Sequence, residues 1–152
     1  NVVTPLDIVP KYGADALRYY LLRESSFGSD GDFTWDNFIK RYNSDLANDL
    51  GNLLNRTLGM AMKYLNGAIA KPTDEKTNEE DGRLRGYIKG ALEKVRMEMD
   101  YRKTGDINFH MALAAIWQVV GTADKYIDTC APWKLAKPSS LSRALASSKA
   151  LA

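Results

Sequence analysis

Along 45–63 the sequence DLANDLGNLLNRTLGMAMK repeats apolar positions at the period of an α-helix. With successive residues turned by about 100°, Leu46, Leu50, Leu53, Leu54, Thr57, Ala61 and Tyr64 fall on one side. That is the pattern of a helix laid on a core. The opposite side carries Asn48, Asn52 and Arg56, each four residues from the next. In α-helical geometry they stack in one slanted row. Phe38, Ile39 and Tyr42 continue the spacing upstream, Thr34 is a favourable N-cap and Asn66-Gly67 a C-cap signal. One long helix is predicted over 35–64.

Two further helices follow by the same criterion. The stretch 78–102 places Leu84, Tyr87, Ile88, Ala91, Leu92, Val95 and Met99 at helical spacing, with Lys and Glu filling the other face. The stretch 108–128 carries Met111, Leu113, Ala114, Ile116, Trp117, Val120 and Ile127, and Pro132 ends it. A polar, Pro-containing loop at 71–76 precedes the helix at 78–102, and a turn at 104–106 follows it. Upstream, Thr4-Pro5 reads as N-cap and first helical residue of a short helix that Pro10 and Gly13 interrupt. GADALRYYLL at 13–22 reads as helix, although Tyr19 to Leu22 also have strand propensity. The turn-rich run 25–32 is a connector and a subdomain boundary. Residues 141–152, rich in Ala and Ser, form a final helix or a frayed tail. The fold class is therefore all-α: an antiparallel helix bundle preceded by a small element of two short helices.

Composition adds limits. The 152 residues suit one medium domain or one plus an appendage, and 45% hydrophobic residues suffice for a core. A net charge of +2 is too small to argue for nucleic acid by itself. Its distribution says more, because 133–152 holds Lys134, Lys137, Arg143 and Lys149 and no acid. A single cysteine excludes an internal disulfide framework and a multi-cysteine zinc site, and fits a reducing compartment. No apolar run approaches a membrane span and no signal peptide opens the chain. The first residue is Asn, so a fragment or a processed chain is expected.

The chemistry on offer is recognition. His110, the one histidine, would have to carry any Ser-His-Asp or Cys-His arrangement, yet it sits among Phe109, Met111 and Leu113 and reads as structural or surface. Cys130 reads as a partly buried small residue. There is no phosphate-binding loop, dinucleotide fingerprint or cluster of metal ligands. Gly51, Gly59, Gly86 and Gly90 read as close helix contacts. The Asn48, Asn52 and Arg56 row presents donors and acceptors that can read unpaired bases, or else a solvated face. Pro132-Trp133 offers a rigid aromatic that either stacks on a base or packs over the bundle end. Trp117 belongs to a core stripe, and Trp35 to a staple against Phe38 or Ile39.

Several stretches together resemble a known family. NVVTPLDI at 1–8 and YGADALRYY at 12–20 resemble the segment that follows the KMSKS loop in class I aminoacyl-tRNA synthetases. FGSDGDF at 27–33, RYNSDLANDLGNLLNR at 41–56, the Phe109, Ala112, Leu113, Ile116, Trp117, Ala123 and Lys125-Tyr126-Ile127-Asp128 positions, and PWKLAK at 132–137 resemble methionyl-tRNA synthetases in particular. The early segment is shared with the leucyl, valyl and isoleucyl enzymes. NDLGNLLNR with PWKLAK is the specific part. The match extends to Lys137, and the tail after Pro138 departs from the pattern.

The resemblance implies a division into the end of a stem-contact fold (1–32), a helical anticodon-binding domain of the class Ia type (33–138) and a tail (139–152). It implies that the HIGH motif, the methionine pocket and the ATP site lie outside this chain, which then has no catalytic residue, no metal site and no cofactor of its own. ATP and Mg2+ would serve the parent enzyme, a methionine–tRNA ligase. The implied partners are the anticodon loop of methionine tRNA, read as CAU, and the catalytic domain of the same parent. The implied setting is the cytoplasm or an organellar matrix, with no membrane. Carried over position by position, the anticodon contacts are Asn52, Arg56 and Trp133, with Asn48 and Pro132 beside them. Two other readings stand next to this one: a helical protein-interaction module without RNA binding, and the equivalent domain of another class Ia synthetase such as the leucyl enzyme.

Overall fold

The computed structural model describes residues 3–26, 28–69 and 78–136, and every regular element among them is helical. The chain opens with α1 (Pro5–Tyr12) and α2 (Ala14–Glu24). The Asp7 carboxylate closes the first turn of α1 by accepting from the Thr4 N–H and hydroxyl, each at 2.8 Å. Pro10 lies inside α1 and does not interrupt it; the break comes at Gly13, whose φ of 83° is open to glycine and strained for other residues. Tyr19 to Leu22 are helical, so packing overrides their strand propensity.

The predicted long helix is continuous from Trp35 to Leu65 but not uniform. It runs as α3 (Trp35–Arg41), a π-helical segment (Tyr42–Gly51) and α4 (Asn52–Leu65). Thr34 caps α3 by accepting from the Asn37 N–H at 3.2 Å. A π turn bonds each N–H to the carbonyl five residues back. At Gly51 that partner residue is Leu46, and a Cβ there would stand 3.1 Å from the Leu46 oxygen. Gly51 therefore serves the π winding of its own helix, not a contact with another. Among the described residues, a Cβ added to Gly59, Gly86 or Gly90 would meet nothing within 4 Å, so the expected helix contacts are not found there at these three glycines either.

After 69 the described chain resumes with α5 (Glu79–Glu98), then a single turn α6 (Tyr101–Thr104), α7 (Phe109–Cys130) and a short α8 (Pro132–Leu135). Asn78 and Asp81 cap α5 reciprocally, at 2.8 and 2.9 Å. The loop read at 71–76, Lys137 and the tail 139–152 lie outside the described residues.

Two sets of contacts define the arrangement. Near the start, Ile8, Ala16, Leu17, Tyr20 and Phe38 are buried together, ringed by Tyr12, Phe33, Trp35 and Tyr42. Phe38 is 1% exposed and meets Tyr12 edge-on with ring centroids 5.1 Å apart. Trp35 packs on Phe38 as the staple reading expects, at 6.2 Å. Farther along, α5 and α7 lie antiparallel: Asn108 at the start of α7 donates to Glu98 at 3.0 Å, and Tyr126 near its end donates to Asp81 at 2.6 Å. The π segment and α4 run beside α7 in the same direction, since Asp45 meets Trp117 and Arg56 meets Asp124. The order is up, down, up.

The apolar side of α4 is narrower than its periodicity predicts. Ala61 is buried and Leu46, Leu53 and Tyr64 are half-buried, while Leu50, Leu54 and Thr57 are exposed. Only one flank of the stripe finds a neighbouring helix among the described residues.

Candidate nucleic-acid interface

Arg56 is the centre of the site. Its Nη1 donates to Asp124 at 2.6 Å and its Nη2 to Asp128. These two carboxylates lie one turn apart on α7 and grip the guanidinium fork from one side. Hydrogen bonding to Asp128, followed by the charges of both aspartates, raises the proton affinity of Arg56 above its ordinary value. Both aspartates escape a reading that starts from unusual polar rows, because an acid on a helix is an ordinary surface residue. Their four-residue spacing, matched to an Arg on another helix, is the one signal present.

Asn52 is the first residue of α4, one turn before Arg56, and its carboxamide is exposed. Asn48 is exposed too, but it belongs to the π segment. Four residues there fall short of a full turn. Asn48 is thus offset from the line through Asn52 and Arg56, whereas uniform α geometry would stack all three.

Pro132 and Trp133 open α8. The corner before them is made by Ala131, which is buried with φ 42° and donates its N–H to the Ile127 carbonyl at 2.9 Å. The left-handed conformation ends α7, and Pro132 then starts a new turn with the fixed φ that suits a first helical position. Both residues are half-buried. Pro132 and Leu135 face Met60, Tyr64, Leu65 and Ile69 across an apolar groove of about 620 Å3. Thr57, next to Arg56, lines it as well. The Arg56 turn of α4 is therefore joined to the last turns of α7 through Asp128, and Thr57 and Pro132 line the same groove. The corner depends on a small side chain. Ala131→Val puts a branched Cβ into a left-handed residue and should cost about 1–2 kcal/mol, read as a lowered urea midpoint.

Behind the site, Asp45 ties the π segment to α2 and α7. It is 6% exposed. It accepts from the Tyr19 hydroxyl and the Ser44 hydroxyl at 2.6 Å each, and from Arg41 at 3.4 Å. Arg41 also grips Glu24 at 3.0 Å. The Asp45 carbonyl accepts from the Trp117 indole N–H at 3.3 Å, and Trp117 lies on Tyr19 with ring centroids 4.4 Å apart. Burial pushes the Asp45 carboxyl up, but Ser44 and Tyr19, with the charges of Arg41 and Arg23, outweigh it and hold it below the usual range. Burial, and then Asp45, push the Tyr19 phenol up. Sequence periodicity places Asp45 at the edge of the polar side, with nothing to mark it as buried.

His110 is half-buried in the first turn of α7, with its Nδ1 buried. Cys130 is half-buried, as its reading expects. Among the described residues no group of three or more potential ligands is placed to hold a metal ion. None of the described helices is long and apolar enough to cross a membrane.

Comparison with known proteins bears on what such a surface belongs to. Residues 1–58 match the family model described as tRNA synthetases class I (M). The methionine–tRNA ligase 1 of Bacillus anthracis is 51% identical over 137 residues, 90% of this chain and 20% of that protein. The methionine–tRNA ligase of Bacillus subtilis is 46% identical over the same share. The chain thus spans about a fifth of the length of the curated relatives it matches. Among solved structures, the Mycobacterium tuberculosis methionyl-tRNA synthetase bound to methionyl-adenylate superposes with a TM-score of 0.81 at 39% identity, over 92% of this chain and 26% of that one. Its free form superposes with a TM-score of 0.80. By sequence over nine-tenths of its length and by fold, the chain belongs to the methionyl-tRNA synthetase family.

Proposed function

We propose that this chain is the part of a methionine–tRNA ligase that reads the CAU anticodon of methionine tRNA. The observation that carries the reading is the joining of α4 to α7 through Arg56 with Asp124 and Asp128, beside the Pro132-Trp133 corner. It supports one shared surface for Asn52, Arg56 and Trp133. In this reading Trp133 offers a stacking face to the splayed first base, a cytosine. Asn52 and Arg56 bond its edge and the adjoining backbone, and Asn48 reaches the next base. Stacking on an aromatic contributes about 1–3 kcal/mol per base. A buried donor or acceptor left unpaired by a wrong base costs about 1–3 kcal/mol.

The parent enzyme would attach methionine to its tRNA at the expense of ATP, with Mg2+, in the cytoplasm. The relatives' greater length supports placing that chemistry in other parts of the parent, so residues 1–152 alone should form no methionyl-adenylate. Residues 1–32 would close a stem-contact fold between the catalytic domain and the reading head at 33–138. Titration with the anticodon stem-loop of methionine tRNA tests the reading. CAU is expected to bind more tightly than altered anticodons, with an affinity that falls as salt rises. Equal affinity for every anticodon would overturn it.

A further inference from the structure

The seam between α5 and α7 opens into a second groove, on the flank of α7 away from Arg56. One half, about 370 Å3, is lined by Gly86, Gly90, Ala115 and Val119. The other half, about 410 Å3, lies toward the Trp133 end of α7 and is walled by Arg83, Thr122, Lys125 and Thr129. Tyr87 and Gln118 line both, so the two halves are continuous. Each is large enough for a small organic group. Tyr87 stands on the wall 55% exposed.

An aromatic platform beside a cation is the chemistry of a single-stranded nucleic-acid site. Glu80, the carboxylate on the wall, is neutralised by Arg83 at 2.8 Å. Lys125 is exposed and makes no ion pair among the described residues, so it is left as the free charge of the groove. Gly86 and Gly90 put no side chain over the floor, and a flat group can lie against the α5 backbone beside Tyr87. The Thr122 and Thr129 hydroxyls donate to the Gln118 and Lys125 carbonyls at 2.7 and 2.9 Å. Their oxygens remain as acceptors for a ribose hydroxyl or a base N–H. The position also fits. Asp128, Lys125 and Thr122 are three residues apart, and each step moves about 60° across α7. Lys125 thus stands on the ridge between the aspartate that grips Arg56 and the groove.

We propose that this groove binds one unpaired nucleotide that borders CAU in the anticodon loop. Its phosphate crosses the α7 ridge at Lys125, and its base lies on the Gly86 and Gly90 floor against Tyr87. The proposal rests on the anticodon reading and extends it to a contact outside the anticodon. That contact tolerates any base, because stacking does not read base edges.

The test is a coupling experiment between protein and RNA. Gly90→Leu fills the floor, and leucine favours a helix over glycine, so the fold is kept. The variant should bind the CAU stem-loop about fivefold more weakly at fixed salt. An abasic site at the loop nucleotide before CAU, or at the one after it, should cost the unsubstituted protein a similar factor. Combined with Gly90→Leu, that abasic RNA should lose nothing further, since both changes remove one contact. Losses that multiply for both abasic positions, or a Gly90→Leu protein that binds as tightly as the unsubstituted one, would overturn the proposal. A second variant reads the phosphate. Lys125→Ala should lower the slope of log affinity against log salt by about one, and an unchanged slope would also count against the groove. Failure of the anticodon reading shows separately, as equal affinity of the unsubstituted protein for every anticodon, whereas a failed groove leaves the CAU preference in place.

Discussion

Trp133→Ala should abolish most of the preference for CAU while leaving the helices folded. On the proposed reading, removing the indole removes the stacking platform, a loss of about 1–3 kcal/mol, or roughly five- to 150-fold in affinity for the CAU stem-loop. Altered anticodons, which bind weakly on the proposed reading, should lose much less. The comparison is therefore a ratio of dissociation constants, measured by fluorescence titration at one fixed salt concentration, beside a circular dichroism melt of the same protein. Trp133 is half-buried, so packing is the rival explanation. The two roles separate cleanly. A stacking residue leaves the melting temperature near that of the parent and removes the ratio. A packing residue lowers the melting temperature and weakens every anticodon alike.

Asp45→Asn should be the more damaging change to the fold. Asp45 is buried and takes hydrogen bonds from Tyr19, Ser44 and Arg41. Asn keeps the shape but gives up the charge and turns one acceptor into a donor. The Tyr19 hydroxyl or the Ser44 hydroxyl is then left facing an NH2 group, and Glu24 is the one carboxylate that Arg41 keeps of the two it grips. Disrupting a buried charged network in this way should cost about 3 kcal/mol, seen as a fall in the urea midpoint at pH 7. The pH dependence provides a second reading. The folded carboxyl lies below its unfolded value of 3.8. Its stabilisation is thus complete above that value and is lost as pH falls through the lower, folded one. The parent protein should lose stability steeply below about pH 4. In the Asn variant that part of the slope should be missing, so the two curves converge in acid.

Much of this was legible in the letters. Leu84 to Met99 and Met111 to Ile127 announce their helices by spacing alone, and both are found. Thr34 and Asn66 mark the ends of the long helix because capping is a local property. Other features were hidden for identifiable reasons. The π segment uses residues that an α-helix would accept equally well, and only Gly51, against the Leu46 carbonyl, hints at the altered winding. Leu50 and Leu54 read as inward because periodicity locates an apolar flank without saying whether a neighbour exists to cover it. Asp45 and Asp128 are the same residue type in opposite roles: one is buried under Tyr19, the other stands at the surface against Arg56. Nothing in either residue's immediate sequence separates the two cases. For the candidate site, Arg56 was visible as an outlying cation in an asparagine row, whereas the acids that hold it come from 68 and 72 residues away in the chain.

The π segment has a consequence for how this surface tolerates changes in length. Upstream, Phe38 is anchored in the aromatic cluster; downstream, Arg56 is anchored to α7. The ten residues from Tyr42 to Gly51 set the rotational phase between those anchors. Deleting one of them would turn everything beyond by about 100° and draw it back by about 1.5 Å if the helix stayed regular. Arg56 would swing off its aspartates, and Asn52 with it. A wider winding absorbs such a mismatch by releasing or taking up a residue, so this stretch works as a phase adjuster between a packed root and a surface that must point one way.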